Sequence, residues 1–403
     1  YIVVEKPLGL DEVLAPSLVA AGTTGYDVLG LLSGLFVRPS ARPHFERLYV
    51  DDFGGDARGF LHTLADSRQD VLDGLLAREL GDRVRQLVGL ARARTPAVDF
   101  TAHELAGCLR ALLVSYPNGR PVLAAGGGTL AEPEARALCQ AAERAQTLIP
   151  ADAKDALAWV VELLRTGGGD GARDFVARVA QLLSAVTAKG LEDTAFYRDA
   201  CFVALNEVGH SPVHFGSAPE SFHARNARIV KTHPHTLSAT STHGTKRSED
   251  VRARLAALSE VPDLWAERVR GWRAANALFK TAREGISFPD AREEYFMYQT
   301  LLGVWPGPRD EGHDLAARLG AYFQKAFREA KVHTSWLAPR ADFERAVAEF
   351  FAGLLGDEAA AGFRRELGEI VGVVGRLGFV NSLAQVVLKI AAPGVPDFYQ
   401  GTE

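Results

Sequence analysis

Glu5 directly follows the apolar pair Val3-Val4. A carboxylate after a short β-prone run sits at the end of a strand, half desolvated by its surroundings. Desolvation disfavours the charged form of a carboxyl group and suits it to general-acid work. The plain alternative is that Glu5 pairs with the adjacent Lys6. The segment richest in chemistry is Thr232–Asp250, THPHTLSATSTHGTKRSED. Its histidines, His233, His235 and His243, raise the question of zinc, since a His-x-His pair can bind that metal. No acidic or cysteine ligand stands at a supporting spacing before Glu249, however, and Lys246 and Arg247 would repel a cation. A histidine beside a basic pair and several hydroxyls better suits hydrogen bonding to a neutral polyol such as a sugar. A solvated polar loop is the bland reading. In a third segment, Lys189, Glu192 and Asp193 are followed by Phe196 and Tyr197. Aromatic rings offer a sugar an apolar face, while carboxylates and lysine hold its hydroxyls. The alternative is a helix start capped by Asp193 or Thr194, with Phe196 and Tyr197 in the core. Gly126–Gly128 precedes a helix and could cradle a phosphate, but it lacks the lysine and hydroxyl of a phosphate-binding loop.

These residues need elements to hold them. Strand-like pieces are expected at Tyr1–Val4, at Ser17–Ala21 before the turn Gly22–Gly25, at Arg228–Thr232 or Leu237–Thr242, and at Gly394–Tyr399. Short apolar strands carrying polar residues at their C-terminal ends suggest a parallel α/β arrangement with the site at that end. Between them, apolar residues recur every three or four positions over 57–93, 132–148, 151–164, 172–188 and 342–355, which predicts amphipathic helices. Ser248 is a predicted N-cap, with Glu249 and Asp250 in the first turn, Val251, Leu255 and Leu258 on one face, and Pro262 at the end. His243–Arg247 therefore falls in a loop between strand and helix.

The 403 residues are 47 % apolar and 24 % charged, a globular balance with room for several domains or one large barrel with insertions. A net charge of −5 gives no basic field for nucleic acid. No uninterrupted apolar run approaches the roughly 20 residues of a membrane span. Three scattered cysteines, Cys108, Cys139 and Cys201, read as reduced residues of a cytoplasmic protein. The chain opens and closes on strand-like segments, so it is expected to be an internal piece of a longer protein.

Several motifs, in order along nearly the whole chain, resemble the maltooligosyltrehalose synthases of the α-amylase clan. VVEK at Val3–Lys6 is similar to the clan's general-acid segment at the end of the fifth barrel strand. AGTTGYD at Ala21–Asp27 resembles the family's sixth-strand turn. KGLEDTAFYR at Lys189–Arg198 and NEVG at Asn206–Gly209 resemble an insertion, and ATSTHGTKRSEDVRARL at Ala239–Leu255 resembles the seventh-strand site. KVHTSW at Lys331–Trp336 and PGVPDFYQGTE at Pro393–Glu403 resemble a second insertion and the eighth strand.

The resemblance implies an α/β fold, the C-terminal half (strands 5 to 8) of a (β/α)8 barrel with large all-helical insertions. Strands 5–6 would occupy residues 1–50, a helical insertion 51–215, strand 7 and its helix 216–262, a second helical insertion 263–372, and the last barrel helix with strand 8 residues 373–403. It implies intramolecular transglucosylation, in which the reducing-end α-1,4 bond of a maltooligosaccharide becomes an α,α-1,1 bond. No metal or other cofactor is implied, and a functional partnership with a maltooligosyltrehalose-releasing hydrolase is. Glu5 matches the acid/base, while His243, Lys246, Arg247, Lys189, Glu192, Asp193, Phe196 and Tyr197 would bind the substrate. The family's nucleophilic Asp lies upstream of Tyr1, and its His-Asp-Thr-Lys loop reads His243-Gly244-Thr245-Lys246 here. The chain alone is therefore expected to be inactive. A glucan hydrolase and a catalytically dead glucan-binding homologue are the rival readings, and a zinc hydrolase built on the three histidines is a more distant one.

Overall fold

The computed structural model describes residues 1–8, 12–14, 18–93, 99–117, 130, 132–167, 171–283, 285–306 and 315–399. Gly126–Gly128 lies outside them. The strands are β1 (Val3–Val4), β2 (Gly22–Thr23), β3 (Leu237–Ser238), β4 (Thr281–Arg283), β5 (Ile286–Phe288) and β6 (Val395–Pro396). Helices α1 to α6 span Tyr26–Leu35, Arg42–Arg47, Phe60–Asp73, Ala77–Ala93, Ala102–Ser115 and Glu132–Ala145. Next come α7 (Lys154–Thr166), α8 (Arg173–Val186), α9 (Phe196–Arg198), α10 (Pro219–Thr232) and α11 (Glu249–Ala256). The last are α12 (Pro262–Ala275), α13 (Ala291–Val304), α14 (Leu315–Ala330), α15 (Ala341–Gly356) and α16 (Ala361–Ala391).

The chain divides into two compact units. One comprises Tyr1–Leu10, Ala20–Phe60 and Thr194–Glu403; the other comprises Asp11–Val19 and Leu61–Asp193. The second unit is a helical bundle whose heptad-like apolar positions, among them Leu72, Leu87, Leu105, Leu109, Leu157 and Val176, are fully interior. Thr101 and Glu104 close a reciprocal cap at the start of α5. At the other end of α5, buried Arg68 donates to the carbonyls of Val114 (2.9 Å) and Tyr116 (2.7 Å). Burial, with some help from Arg144, brings the Arg68 guanidinium down to about 10.

In the first unit β1 pairs with β2 and β3 with β6, both in parallel, while β4 and β5 form a hairpin. β2 lies directly against the residue preceding β3, for the Thr23 amide donates to Thr236 Oγ1 at 2.9 Å. A Cβ on Gly22, at φ +152°, would stand 2.3 Å from the Thr236 side chain, so only glycine allows this approach. That requirement explains why the strand expected at Ser17–Ala21 sits instead at Gly22–Thr23, where glycine suggests a turn. The Arg228–Thr232 alternative is the last turn of α10, with Ile229 inward and Val230 outward, and Leu237–Ser238 is the strand. Periodicity over 57–93 runs through a break between α3 and α4, and Pro262 opens α12 rather than closing α11.

The core of this unit is aromatic, with Trp265, Trp272, Tyr295, Phe296, Tyr298, Phe323 and Phe343 all interior. The phenol of Tyr295 accepts from Trp265 Nε1 (3.0 Å), and that of Tyr298 donates to Glu294 (2.6 Å). α16 and the turn before it, Glu358–Ala391, are long and apolar enough to cross a membrane by length and composition, although no uninterrupted apolar run appears in the sequence. Phe363, Leu367, Ile370 and Val374 face inward from this helix, and Gly378 lets it close on the Arg254 backbone. Phe379, Val380, Leu383, Val387 and Ile390 are exposed on its other side.

α14 and α15 are tied by Arg328, which forks onto Glu344 with two 2.7 Å bonds, while Thr334 in the loop between them donates to the same carboxylate at 2.8 Å. The Arg328 hydrogen bonds hold Glu344 down to about 2, below the ordinary 4.5. The folded state thus binds this proton less readily than the unfolded chain, and the stability from the contact is present above about pH 4.5 and lost as pH falls to about 2. Glu344→Gln should therefore make unfolding less pH-dependent across that window while lowering stability at pH 7, as measured by urea denaturation at a series of pH values. Equal pH slopes for both proteins would refute the assignment.

Candidate functional site

The C-terminal ends of β1, β2 and β3 carry the residues with chemistry. Glu5 leaves β1 with its side chain 45 % exposed, so the half-desolvated position expected of it is met in part. His243, in the loop after β3, brings Nε2 to 3.8 Å from Glu5 Oε1. The structure thus joins the two residues that sequence reasoning picked from opposite halves of the chain. Neighbouring Lys6 is buried, a placement its position next to an exposed carboxylate does not suggest.

The loop from Thr242 to Arg247 is a tight turn. Thr242 and Thr245 exchange hydrogen bonds, with Thr245 Oγ1 donating to the Thr242 carbonyl at 2.8 Å and the Thr242 amide donating back at 3.4 Å. The Gly244 amide donates to Thr242 Oγ1 (3.1 Å), which in turn donates to the Tyr26 hydroxyl at 2.9 Å. Tyr26 is the first residue of α1 and is interior. A Cβ on Gly244 would stand 2.6 Å from that hydroxyl and 3.6 Å from the ring carbon bearing it.

Asp27, one residue on, accepts from Thr23 Oγ1 at 3.0 Å and pairs through its other oxygen with buried Arg225 at 2.8 and 3.0 Å. This locks the β2–α1 turn from beneath. The Lys246 and Arg247 amides are both held by Glu207, and Arg252 on α11 lies against the same carboxylate. Lys389 of α16, fully buried, donates to Thr240 Oγ1 (2.9 Å) and to the Asp397 carbonyl (3.1 Å), joining the chain beyond β3 to the chain beyond β6. Sequence reasoning missed Tyr26, Asp27, Glu207, Arg225, Arg252 and Lys389 as site-forming residues. The available signal was that Tyr26, Asp27, Glu207 and Arg252 lie inside the motifs AGTTGYD, NEVG and ATSTHGTKRSEDVRARL.

Several expected contacts sit differently. Arg247 is buried, with its guanidinium 5.5 Å from the centre of the Phe296 ring and Nη1 at 3.5 Å from the Asn206 carbonyl. Phe196 and Tyr197 are interior and pack on Phe60 and Phe296 respectively, so neither ring offers an open face for a sugar. They are core residues, because the segment Thr187–Ala195 winds as a helix into α9 and turns both rings inward. Lys189 and Asp193 pair with each other at 2.8 Å in the helical unit, where Glu192 is half-buried beside them.

His233, His235 and His243 do not converge. Among the described residues, the one group with metal-like spacing is Asp290, Glu293 and His333. Two of its members form the reciprocal cap of α13, and Arg292 already lies 3.4 Å from Asp290 Oδ2. Burial opposes charge on Asp290, yet His333 and the Glu293 amide hold it down to about 2, while burial and the Asp290 charge push Glu293 well up. The three side chains therefore satisfy one another as a helix-end cluster.

With this geometry in view, the chain can be set beside the proteins it resembles. No protein-family model matches the chain. It is 36 % identical over 406 residues, covering all of the chain, to curated relatives from two strains of Mycobacterium tuberculosis named, by inference, as maltooligosyl trehalose synthases. The solved structure of maltooligosyltrehalose synthase from Arthrobacter ramosus superposes on 99 % of the chain with a TM-score of 0.82 at 28 % identity. A second solved maltooligosyl trehalose synthase covers all of it with a TM-score of 0.75 at 26 % identity. The chain spans about half the length of these relatives, 48 % of the curated proteins and 47 % of the two structures. In sequence and in fold, it is a homologue of the maltooligosyl trehalose synthases.

The Tyr26 hydroxyl makes position 244 intolerant of a side chain. Gly244→Ala should destabilise the protein by about 1–3 kcal/mol as an overpacked contact. In a Tyr26→Phe background the nearest atom recedes to ordinary contact distance, and most of that penalty should vanish. Denaturant unfolding of the four proteins in a double-mutant cycle measures the coupling. A Gly244→Ala cost that is unchanged with Phe at 26 would show that the hydroxyl is not the obstacle.

Proposed function

We propose that this chain supplies the acid/base half of a retaining glucan-rearranging site. The enzyme containing it converts the reducing-end α-1,4 bond of maltooligosaccharides to an α,α-1,1 bond, towards trehalose. The observation that carries the reading is the meeting of Glu5 with His243 at 3.8 Å, at the ends of different strands, in a chain homologous to maltooligosyl trehalose synthases over its full length. Net retention requires two displacements by a carboxylate pair about 5–5.5 Å apart. Glu5 protonates the departing O4 as the glycosidic bond breaks and the nucleophile bonds to C1. The freed glucose turns, its anomeric hydroxyl gives its proton back to Glu5, and its oxygen displaces the nucleophile from C1. His243, at hydrogen-bonding range of the same space, and Lys246 hold sugar hydroxyls. The nucleophile is an Asp from a strand outside this chain.

The fold supports the corresponding architecture. The parallel pairs β1–β2 and β3–β6, with the Thr23 amide of β2 on the residue preceding β3, are consistent with strands 5 to 8 of a (β/α)8 barrel. On this reading strands 5–6 fall in 1–50, strand 7 in 216–262 and strand 8 in 373–403, with insertions at 51–215 and 263–372. The outer edges of β1 and β6, unpaired among the described residues, and the exposed apolar face of α16 then meet the other half of the barrel. We place the enzyme in the cytoplasm, acting beside a hydrolase that releases trehalose from its product.

Gly244 stands where the family motif has a third carboxylate, whose loss typically costs about 10²–10³ in rate. The 403-residue chain alone should be inactive and prone to associate through its open edges. Joined to the upstream half of a relative, it should consume the reducing ends of maltopentaose without releasing glucose. Glu5→Gln should abolish this, and Gly244→Asp, paired with Tyr26→Phe, should raise the rate. Glucose release in place of reducing-end loss would indicate a hydrolase, and sugar binding with no turnover in any variant would indicate a glucan-binding protein.

A further inference from the structure

We infer that the buried pair Glu207–Arg252 is the positioning device of this site, fixing the 242–247 loop and thereby holding His243 opposite Glu5; its catalytic consequence rests on the function proposed above. Glu207 is fully buried in the loop after the short 3-10 turn Val203–Leu205. Its carboxylate accepts from the Lys246 amide at 2.8 and 3.0 Å and from the Arg247 amide at 3.1 Å, and also from its own neighbour Val208 at 2.9 Å. Arg252 Nη1 reaches Glu207 Oε2 at 3.2 Å and the Arg247 carbonyl, Nη2 reaches the Thr240 carbonyl, and Nε lies 3.3 Å from Ser33 Oγ on α1. The arginine therefore grips the chain just before and at the end of the loop, while the carboxylate takes the two amides at its exit.

Two further observations make this a device rather than incidental packing. Arg247 Nε and Nη2 are buried with no hydrogen-bond partner, a cost of about 1–3 kcal/mol for each donor left unmade. A loop free to choose would turn that guanidinium toward solvent, so something holds the backbone against the cost. Moreover, burying two charges is expensive by itself, and the same loop could have been closed with neutral groups. What a charged fork adds is direction: one carboxylate and one guanidinium define five backbone positions at once. The clamp is also referenced to both elements next to the site, since α1 carries Ser33 and α11 carries Arg252.

The test uses selectively labelled histidine in the complete protein and its turnover of maltopentaose. His243→Gln assigns the His243 signal. Glu207→Gln, the charge-neutral double variant Glu207→Gln/Arg252→Met and the charge-conserving Arg252→Lys are compared with Asp52→Asn, which breaks an exposed ion pair to Arg270 elsewhere in the same unit. The expected result is a shifted or broadened His243 signal in all three clamp variants, with those of His44 and His333 unmoved, and, in the two variants carrying Glu207→Gln, a roughly 100-fold fall in kcat at little-changed KM, as a misplacement on the order of 1 Å would give. Arg252→Lys should fall between, and Asp52→Asn should change neither. An unmoved His243 signal in any folded clamp variant overturns the inference. Should the unaltered protein fail to turn over maltopentaose, the proposed function falls while the histidine signal still decides the clamp.

Discussion

The buried carboxylate of Glu207 settles where the backbone hydrogen bonds of the 242–247 loop go. A loop that leaves a strand end and enters a helix within a few residues strands several amides and carbonyls, each of which must find a partner once buried. Here the amides of Lys246 and Arg247 converge on one side chain, and the carbonyls of Thr240 and Arg247 on another, with the two side chains paired to each other. The helix that follows begins with its own cap, Ser248 accepting from the Val251 amide. His243 can then stand outward, 69 % exposed, because the backbone amides at the loop's exit are held from beneath by the buried Glu207.

The same economy governs the strands. Each is two residues long in β1, β2, β3 and β6, too short for ladder hydrogen bonds to define position alone. Their placement comes instead from close backbone approach and from buried polar side chains. Gly22 and Gly25 allow Thr236 and Ala239 to come within what would otherwise be collision distance, and both need positive φ. Asp27–Arg225 and Lys389 fasten the strand ends to α10 and α16. A site built this way is rigid beneath and open above.

Much of this was readable in the sequence, and the gaps have physical causes. Amphipathic helices such as α6, α7, α8 and α15 follow directly from apolar spacing, and Ser248 declares its cap. β1 and the strand before His243 were found because polar residues follow apolar ones there. β2 is displaced because a strand that needs Gly for close approach looks like a turn, and the end of α10 competes with Leu237–Thr242 for the strand because Ile229, Val230 and Thr232 are β-branched. Glu5 was legible and Glu207 was not, although both are glutamates. The first follows an apolar run, whereas the second gains its meaning from Lys246, Arg247 and Arg252, about forty positions away along the chain. Phe196 and Tyr197 show the opposite case: aromatics among charges suit a sugar surface as well as a helix start with both rings in the core, and only the packing decides for the core.

α16 connects the site to the rest of the molecule through its two faces. Inward, Lys389 bridges the segments beyond β3 and β6 under the ring of Phe398, 3.8 Å away, and Gly378 seats the helix on α11, which carries Arg252. Outward, the row Phe379, Val380, Leu383, Val387 and Ile390 presents an apolar surface that water does not favour. A helix loaded in this way settles where its outer face is covered, and a displacement along its axis carries Lys389 with it. The segments beyond β3 and β6 are thus tied to the helix whose far side carries that surface.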